Sequence, residues 1–124
     1  MSKIEAKNKL VMLITELMRL TIKNEIQWES KTPPRYLIEG TDDIVPIYFS
    51  VKYKDKTIAL FIRRTRQYNG EFDILHWTEE VKIAIVESDT ILWENTQYSS
   101  SVHDLYKRVQ EQVSGLNSLL DSLL

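Results

Sequence analysis

Between Val45 and Glu94 the apolar residues of this chain alternate with polar ones, whereas towards both ends they recur every three or four positions. A repeat of two belongs to a half-buried strand and a repeat near 3.6 to an amphipathic helix, so the pattern specifies a sheet bracketed by helices. At the N-terminal end Leu10, Val11, Ile14, Leu17, Met18 and Ile22 form one stripe on a helix over about residues 3–24. Ser2 and Glu5 have capping-box spacing at its start. At the other end Ser101 and Asp104 repeat that signal ahead of Val102, Leu105, Val109, Leu116, Leu119 and Leu123. Gln112 interrupts this second stripe, and Gly115 inside it predicts a local kink.

In the middle, Val45, Ile47, Phe49, Val51 and Tyr53 make a first strand. A tight connection at Asp55-Lys56 leads to a second strand from Thr57 to about Tyr68. Asn69-Gly70 is the strongest hairpin signal, since both residues tolerate positive φ. The strand from Glu71 to about Glu87 is long enough to predict a bulge near Glu79-Glu80, and Ser88-Asp89 turns the chain into a short strand at Thr90–Glu94. Pro33-Pro34 breaks regular structure, so residues 29–44 read as a mobile loop, a candidate flap, with Tyr36 to Ile38 as a candidate edge strand. The expectation is one α+β domain over 1–124: an antiparallel meander of about four to five strands with an N-terminal and a C-terminal helix packed on one face.

Two-residue turns at both hairpins would place Lys54 opposite Thr57 and Tyr68 opposite Glu71. One face then carries Ile47, Phe49, Val51, Tyr53, Ile58, Leu60, Ile62, Leu75, Trp77 and Val81, the expected core. The other, left open, carries Tyr48, Ser50, Lys52, Ala59, Phe61, Arg63, His76, Thr78 and Glu80, with Tyr48, Arg63 and His76 in one row. Ile91 and Trp93 join this open face if the last turn is also tight. Exposed apolar surface of this kind marks an interface, and self-association as a dimer, through the sheet or the leucine-rich last helix, is its simplest use.

The 124 residues carry 16 basic and 18 acidic side chains, a balance that gives no bulk footprint for nucleic acid. No cysteine is present, which excludes disulfides and thiolate chemistry, and no apolar run is long enough for a membrane span; a cytoplasmic location is expected. Arg63, Arg64 and Arg66 with nearby Tyr48 and Tyr68 suggest a phosphate-bearing ligand, a nucleotide or single-stranded nucleic acid. Alternation splits that cluster between two faces, and Arg66 is expected opposite Asp73 as an ordinary ion pair. His76 and Glu80 are the candidate acid/base pair, but His103 is the only other histidine, so no metal or other cofactor is expected. Asp42-Asp43 reads as a turn or helix-capping element, and Glu79, at core parity, needs a bulge or a partner. Glycine-rich phosphate loops, Gly-x-Ser-x-Gly and His-Glu-x-x-His are all missing, which leaves an enzyme the least supported reading.

The ending Asp104-Leu105-Tyr106, Val109, Gln112-Val113-Ser114-Gly115-Leu116-Asn117 and Leu119-Leu120, with Trp28-Glu29 and Trp93-Glu94, resembles uncharacterised families of small bacterial proteins. That resemblance covers about a third of the chain and implies a bacterial setting but no activity and no site residue. The leading expectation is a non-catalytic binding protein, self-associating or holding a protein partner, that uses Tyr48, Phe61, Arg63, His76, Thr78, Glu80 and Trp93. A phosphate binder through the basic strand is the alternative, and a small enzyme using His76 and Glu80 a further one.

Overall fold

The computed structural model describes residues 3–124, with side chains from residue 5 onwards, so Ser2 of the expected capping box lies outside the described residues. The fold is α+β: α1 (Lys3–Ile22), β1 (Glu29–Ser30), a 3-10 turn (Arg35–Leu37), β2 (Ile44–Tyr53), β3 (Lys56–Asn69), β4 (Ile74–Glu87), β5 (Thr90–Glu94), α2 (Ser100–Ser114) and α3 (Leu116–Leu123). The five strands form an antiparallel meander in chain order. The chain divides into two compact units, one helical, up to Glu29 and from Ser99, and one built on the sheet, Ser30–Tyr98.

In the helical unit α1 buries Ile14, Leu17 and Thr21, three- and four-residue steps that confirm the stripe, while Val11 and Ile22 at its margins stay exposed. α2 buries Val102, Leu105, Tyr106 and Val109. Its cap is Ser99, whose side chain accepts from the Val102 N–H, not the expected Ser101. Gly115 adopts φ 65° and ends α2, so the expected kink is a full break between two helices. The interrupting Gln112 is a structural hub. Its Oε1 accepts from the Trp28 N–H at 2.9 Å, and its Nε2 donates to the Ile26 carbonyl at 2.8 Å and the Asn24 side chain at 3.2 Å. The buried Trp28 indole donates in turn to Thr21 Oγ1 at 3.0 Å. Gln112→Leu strands the Trp28 N–H and the Ile26 carbonyl, and is expected to cost about 2 kcal/mol in urea unfolding. Gln112→Glu should recover little, because a carboxylate cannot donate to Ile26.

In the sheet unit the two main hairpins differ from expectation in register but not in parity. The first turn is Lys54-Asp55, both at positive φ (49° and 69°), so Tyr53 faces Lys56. The second spans residues 70–73, so Asn69 faces Ile74 and Tyr68 faces Leu75. Asn69 misleads as a turn signal because its side chain accepts from the Glu71 N–H at 3.1 Å, while the left-handed position falls on Asp73 (φ 51°). The β3–β4 register runs unbroken from Thr57–Val86 to Asn69–Ile74, so the bulge expected at Glu79-Glu80 does not form. Glu79 instead faces Arg64 and pairs with it at 2.7 Å. A bulge does occur at Leu92, between the Val86–Ile91 and Ile85–Trp93 pairs, and it sends Trp93 to the opposite face from Ile91.

Phe49, Val51, Ile58, Leu60 and Ile62 of the expected core face are buried, and Ile83, not among the residues expected there, is buried with them. The inner part of the face expected to be open is buried as well, while Lys52, His76 and Glu80 of that face are exposed. Tyr48, Ala59, Phe61, Ala84 and Val86 form a second core with Leu37 and Val45, flanked by Tyr36, Ile38 and Ile91. The covering layer is the expected flap, whose backbone is bonded within itself: Leu37 N–H to the Pro34 carbonyl, Glu39 N–H to Arg35, and Thr41 N–H to Ile38. Tyr36 to Ile38 is thus part of a plug over the sheet and not an edge strand.

Candidate interaction surface

Burial withdraws the first expected site residues. Tyr48 is 4% exposed and Phe61 fully buried, their rings stacked at 5.8 Å. Desolvation pushes the Tyr48 phenol up to about 12, with Tyr36 adding a smaller rise. Between pH 10, the ordinary value, and about pH 12 the unfolded chain loses this proton while the folded one keeps it. Stability therefore falls across that window by on the order of 2 kcal/mol, and Tyr48→Phe is expected to flatten that alkaline limb in urea titrations.

Arg63 is committed to the plug. Its Nη1 donates to Glu94 at 2.8 Å, Nη2 to the Leu37 carbonyl at 3.4 Å, and Nε lies 3.8 Å from the Asp43 carboxylate. The guanidinium also sits over the Phe61 ring at 5.4 Å. Asp43, expected only in a turn or a helix cap, is one of its two acidic partners. The shifted register breaks the expected row: Tyr48 faces Phe61, Arg63 faces Glu80, and His76 faces Gln67. His76 and Glu80, four positions apart on one strand, are separated by about 13 Å along it, too far for an acid/base pair within one chain. Glu80 pairs with Lys82 at 3.0 Å, and Thr78 donates to the Thr65 carbonyl. Among the described residues no cluster of three or more acidic, histidine or cysteine side chains is arranged for a metal.

What the register removes from one place it assembles in another. β3 and β4 run for 14 residues each against 10 in β2, and β2 pairing stops at Arg64. The outer part of the hairpin, residues 65–78, overhangs as a two-stranded arm. One side of it carries a ladder of cross-strand pairs: Arg64 on Glu79, Arg66 over the Trp77 ring at 5.7 Å, and Tyr68 beside Leu75. Tyr68 also donates to Asp73 at 2.6 Å, which holds its phenol above the ordinary range. Arg66 was expected opposite Asp73, and Leu75 and Trp77 in the core; the longer turn moves all three into this ladder.

The arm is the most apolar exposed surface of the sheet unit: Tyr68 is 61%, Phe72 64%, Ile74 53%, Leu75 58% and Trp77 50% exposed. Sequence reasoning missed Phe72, Ile74, Leu75 and Trp77 as site residues and named Tyr68 only beside the arginines, although two strands longer than their neighbour must overhang it. Glu71, Asp73, Glu79 and Glu80 offset Arg64 and Arg66, so the arm offers no basic track for a phosphate backbone. In the helical unit a polar cleft of about 310 Å³ is lined by Asn24, Gln27, Arg108, Glu111 and Gln112. Gln112 is already spent on Trp28 and Ile26, and Arg108 lies 3.5 Å from Glu111. No described helix is long and apolar enough to cross a membrane. The chain matches no protein-family model, no curated protein and no solved structure.

Proposed function

We propose that this chain is a non-catalytic protein-interaction module whose binding surface is the overhanging β3–β4 arm. The observation that carries the reading is the grouping of Tyr68, Phe72, Ile74, Leu75 and Trp77, each at least half exposed, on one hairpin. Tryptophan, tyrosine and arginine dominate the energetics of protein interfaces, and Trp77, Tyr68 and Arg66 adjoin one another on one side of the arm. The Arg66–Trp77 contact and the Tyr68–Asp73 hydrogen bond orient two of these rings in advance, which reduces the rotamer freedom lost on binding. The phosphate-binding alternative loses its anchor in Arg63, and the enzymatic one its geometry at His76 and Glu80.

A photo-crosslinking amino acid at Leu75 of the full chain, expressed in cells, tests the reading. Discrete adducts are expected from Leu75 and none from the exposed control position Lys52. Trp77→Glu should abolish the adducts while leaving the melting temperature within about 2 °C. Adducts indifferent to Trp77→Glu, or equal from Lys52, would sink the proposal.

A further inference from the structure

Resting on that reading, we infer that the arm's partner is a second copy of this chain, joined through antiparallel pairing of the two β4 edges about a two-fold axis at Thr78. On the side away from β3, β5 pairs with β4 only from Ala84 to Glu87. Asn95 occupies the next position: its N–H donates to the Ile83 carbonyl at 3.1 Å and its Oδ1 accepts from the Ile83 N–H at 2.8 Å. Among the described residues no strand pairs with Ile74–Lys82 on that side. An unpaired, partly apolar edge without proline or glycine is a ready template for another strand.

The bonds to Asn95 fix the polarity of that edge. Ile83 directs both its N–H and its C=O outward, and strand alternation makes Leu75, Trp77, Glu79 and Val81 do the same. In a symmetric antiparallel pair, opposite residues must share this outward or inward character, so the axis has to pass through a residue and not between two. Placed at Glu79 or Glu80 it would oppose identical carboxylates. At Thr78 it sets His76 opposite Glu80 of the second copy, Leu75 opposite its Val81, and threonine opposite threonine. Each of these matches is a favourable cross-strand combination. Leu75 and Val81, like Trp77 and Glu79, then exchange backbone hydrogen bonds, and the His76–Glu80 contacts fall at the closer, non-hydrogen-bonded positions. The two Trp77 rings become diagonal neighbours across the axis. The β3 edge has no such solution, because its free stretch carries Arg66 and no acid to meet it.

The exposed apolar surface of the arms sets the upper limit on what the contact can bury. Aromatic side chains present roughly 150–250 Å² each, so Tyr68, Phe72 and Trp77 at their exposures, with Ile74 and Leu75, offer roughly 500 Å² of apolar surface per arm. Two arms together reach roughly 1,000 Å², the threshold for a specific interface.

Sedimentation of the full chain at micromolar concentrations is expected to show a dimer. Glu80→Lys should raise its dissociation constant about tenfold or more, and His76→Glu alone should do the same. The exchange His76→Glu with Glu80→His should restore dimerisation, which a merely apolar contact would not require. Because the native chain has no cysteine, Thr78→Cys places one thiol beside its own symmetry mate. Mild oxidation should convert that variant to a covalent dimer much faster than the exposed control Lys52→Cys. A monomeric wild type together with cross-linking of Thr78→Cys no faster than the control overturns the proposal. In that case adducts from Leu75 to another protein, lost on Trp77→Glu, would leave the interaction reading standing, and their absence would remove both. A dimer that survives the single charge changes overturns the β4 pairing.

Discussion

Phe61→Ala is expected to lower stability by about 4 kcal/mol, whereas Trp77→Ala should lower it by less than about 1 kcal/mol. Both aromatics belong to the hairpin formed by β3 and β4, and the contrast follows from where pairing with β2 ends. Phe61 lies opposite Tyr48 and Lys82, is fully buried, and is roofed by the Leu37 plug, which a 3-10 turn holds too rigidly to collapse into the void. Trp77 lies beyond Arg64 and packs on one side only, against Arg66. Equilibrium unfolding of the two variants in urea measures the difference directly, with the alanine proteins compared at matched slope. Equal losses would mean that the arm is part of the core and not a surface offered to a partner.

Arg63→Ala is expected to cost about 3 kcal/mol, an unusually large effect for a side chain on a strand that reads as basic and solvated. Removing the guanidinium leaves the Glu94 and Asp43 carboxylates, about four-fifths buried, facing each other without the cation between them. It also takes the one side-chain donor from the Leu37 carbonyl and uncovers one face of the Phe61 ring. Arg63→Lys should recover less than half of the loss, because a single ammonium cannot span two carboxylates and a carbonyl at once. Hydrogen exchange offers an independent check: amides of residues 37–43 should lose protection in Arg63→Ala ahead of those in β3. A variant with wild-type protection across the plug would show that packing of Leu37, and not the guanidinium, holds it down.

Much of this architecture is legible in the residues, and the places where it is not have physical causes. The alternation from Val45 and the terminal stripes identify β2 to β5 and both helical regions, because burial of one face enforces a repeat whatever the local turns do, while the two-residue β1 at Glu29–Ser30 is too short to show one and reads as loop. Parity survived for the same reason, while register did not. Asn69 prefers to bond Glu71 rather than occupy the turn itself, and that local choice slides β4 by four positions along β3. The sliding moved Leu75 and Trp77 from the expected core to the surface and dissolved the row of Tyr48, Arg63 and His76. The plug was hidden for a different reason. Pro33, Pro34, Gly40 and two aspartates give the segment the composition of a loose connection, and only Tyr36, Leu37 and Ile38 betray that it has something to bury. Gln112 shows the same principle in the helical unit: a polar residue breaking an apolar stripe marked a set of hydrogen bonds, not a weak point.

Each strand of the meander neighbours only the strands next to it in the chain. Such a sheet can close like a zipper, one hairpin after another, without waiting for remote segments to meet. The overhang stands at the end of that sequence. Its outer rungs, from Tyr68–Leu75 to Asn69–Ile74, are braced by no third strand, so they can open and reclose while the rungs from Thr57–Val86 to Arg63–Glu80 stay shut. Opening free energies should therefore rise stepwise from the tip towards the base. A protein laid out in this manner keeps its sampling of shapes at the end that meets other molecules, and its rigidity where the chain is clasped from both sides.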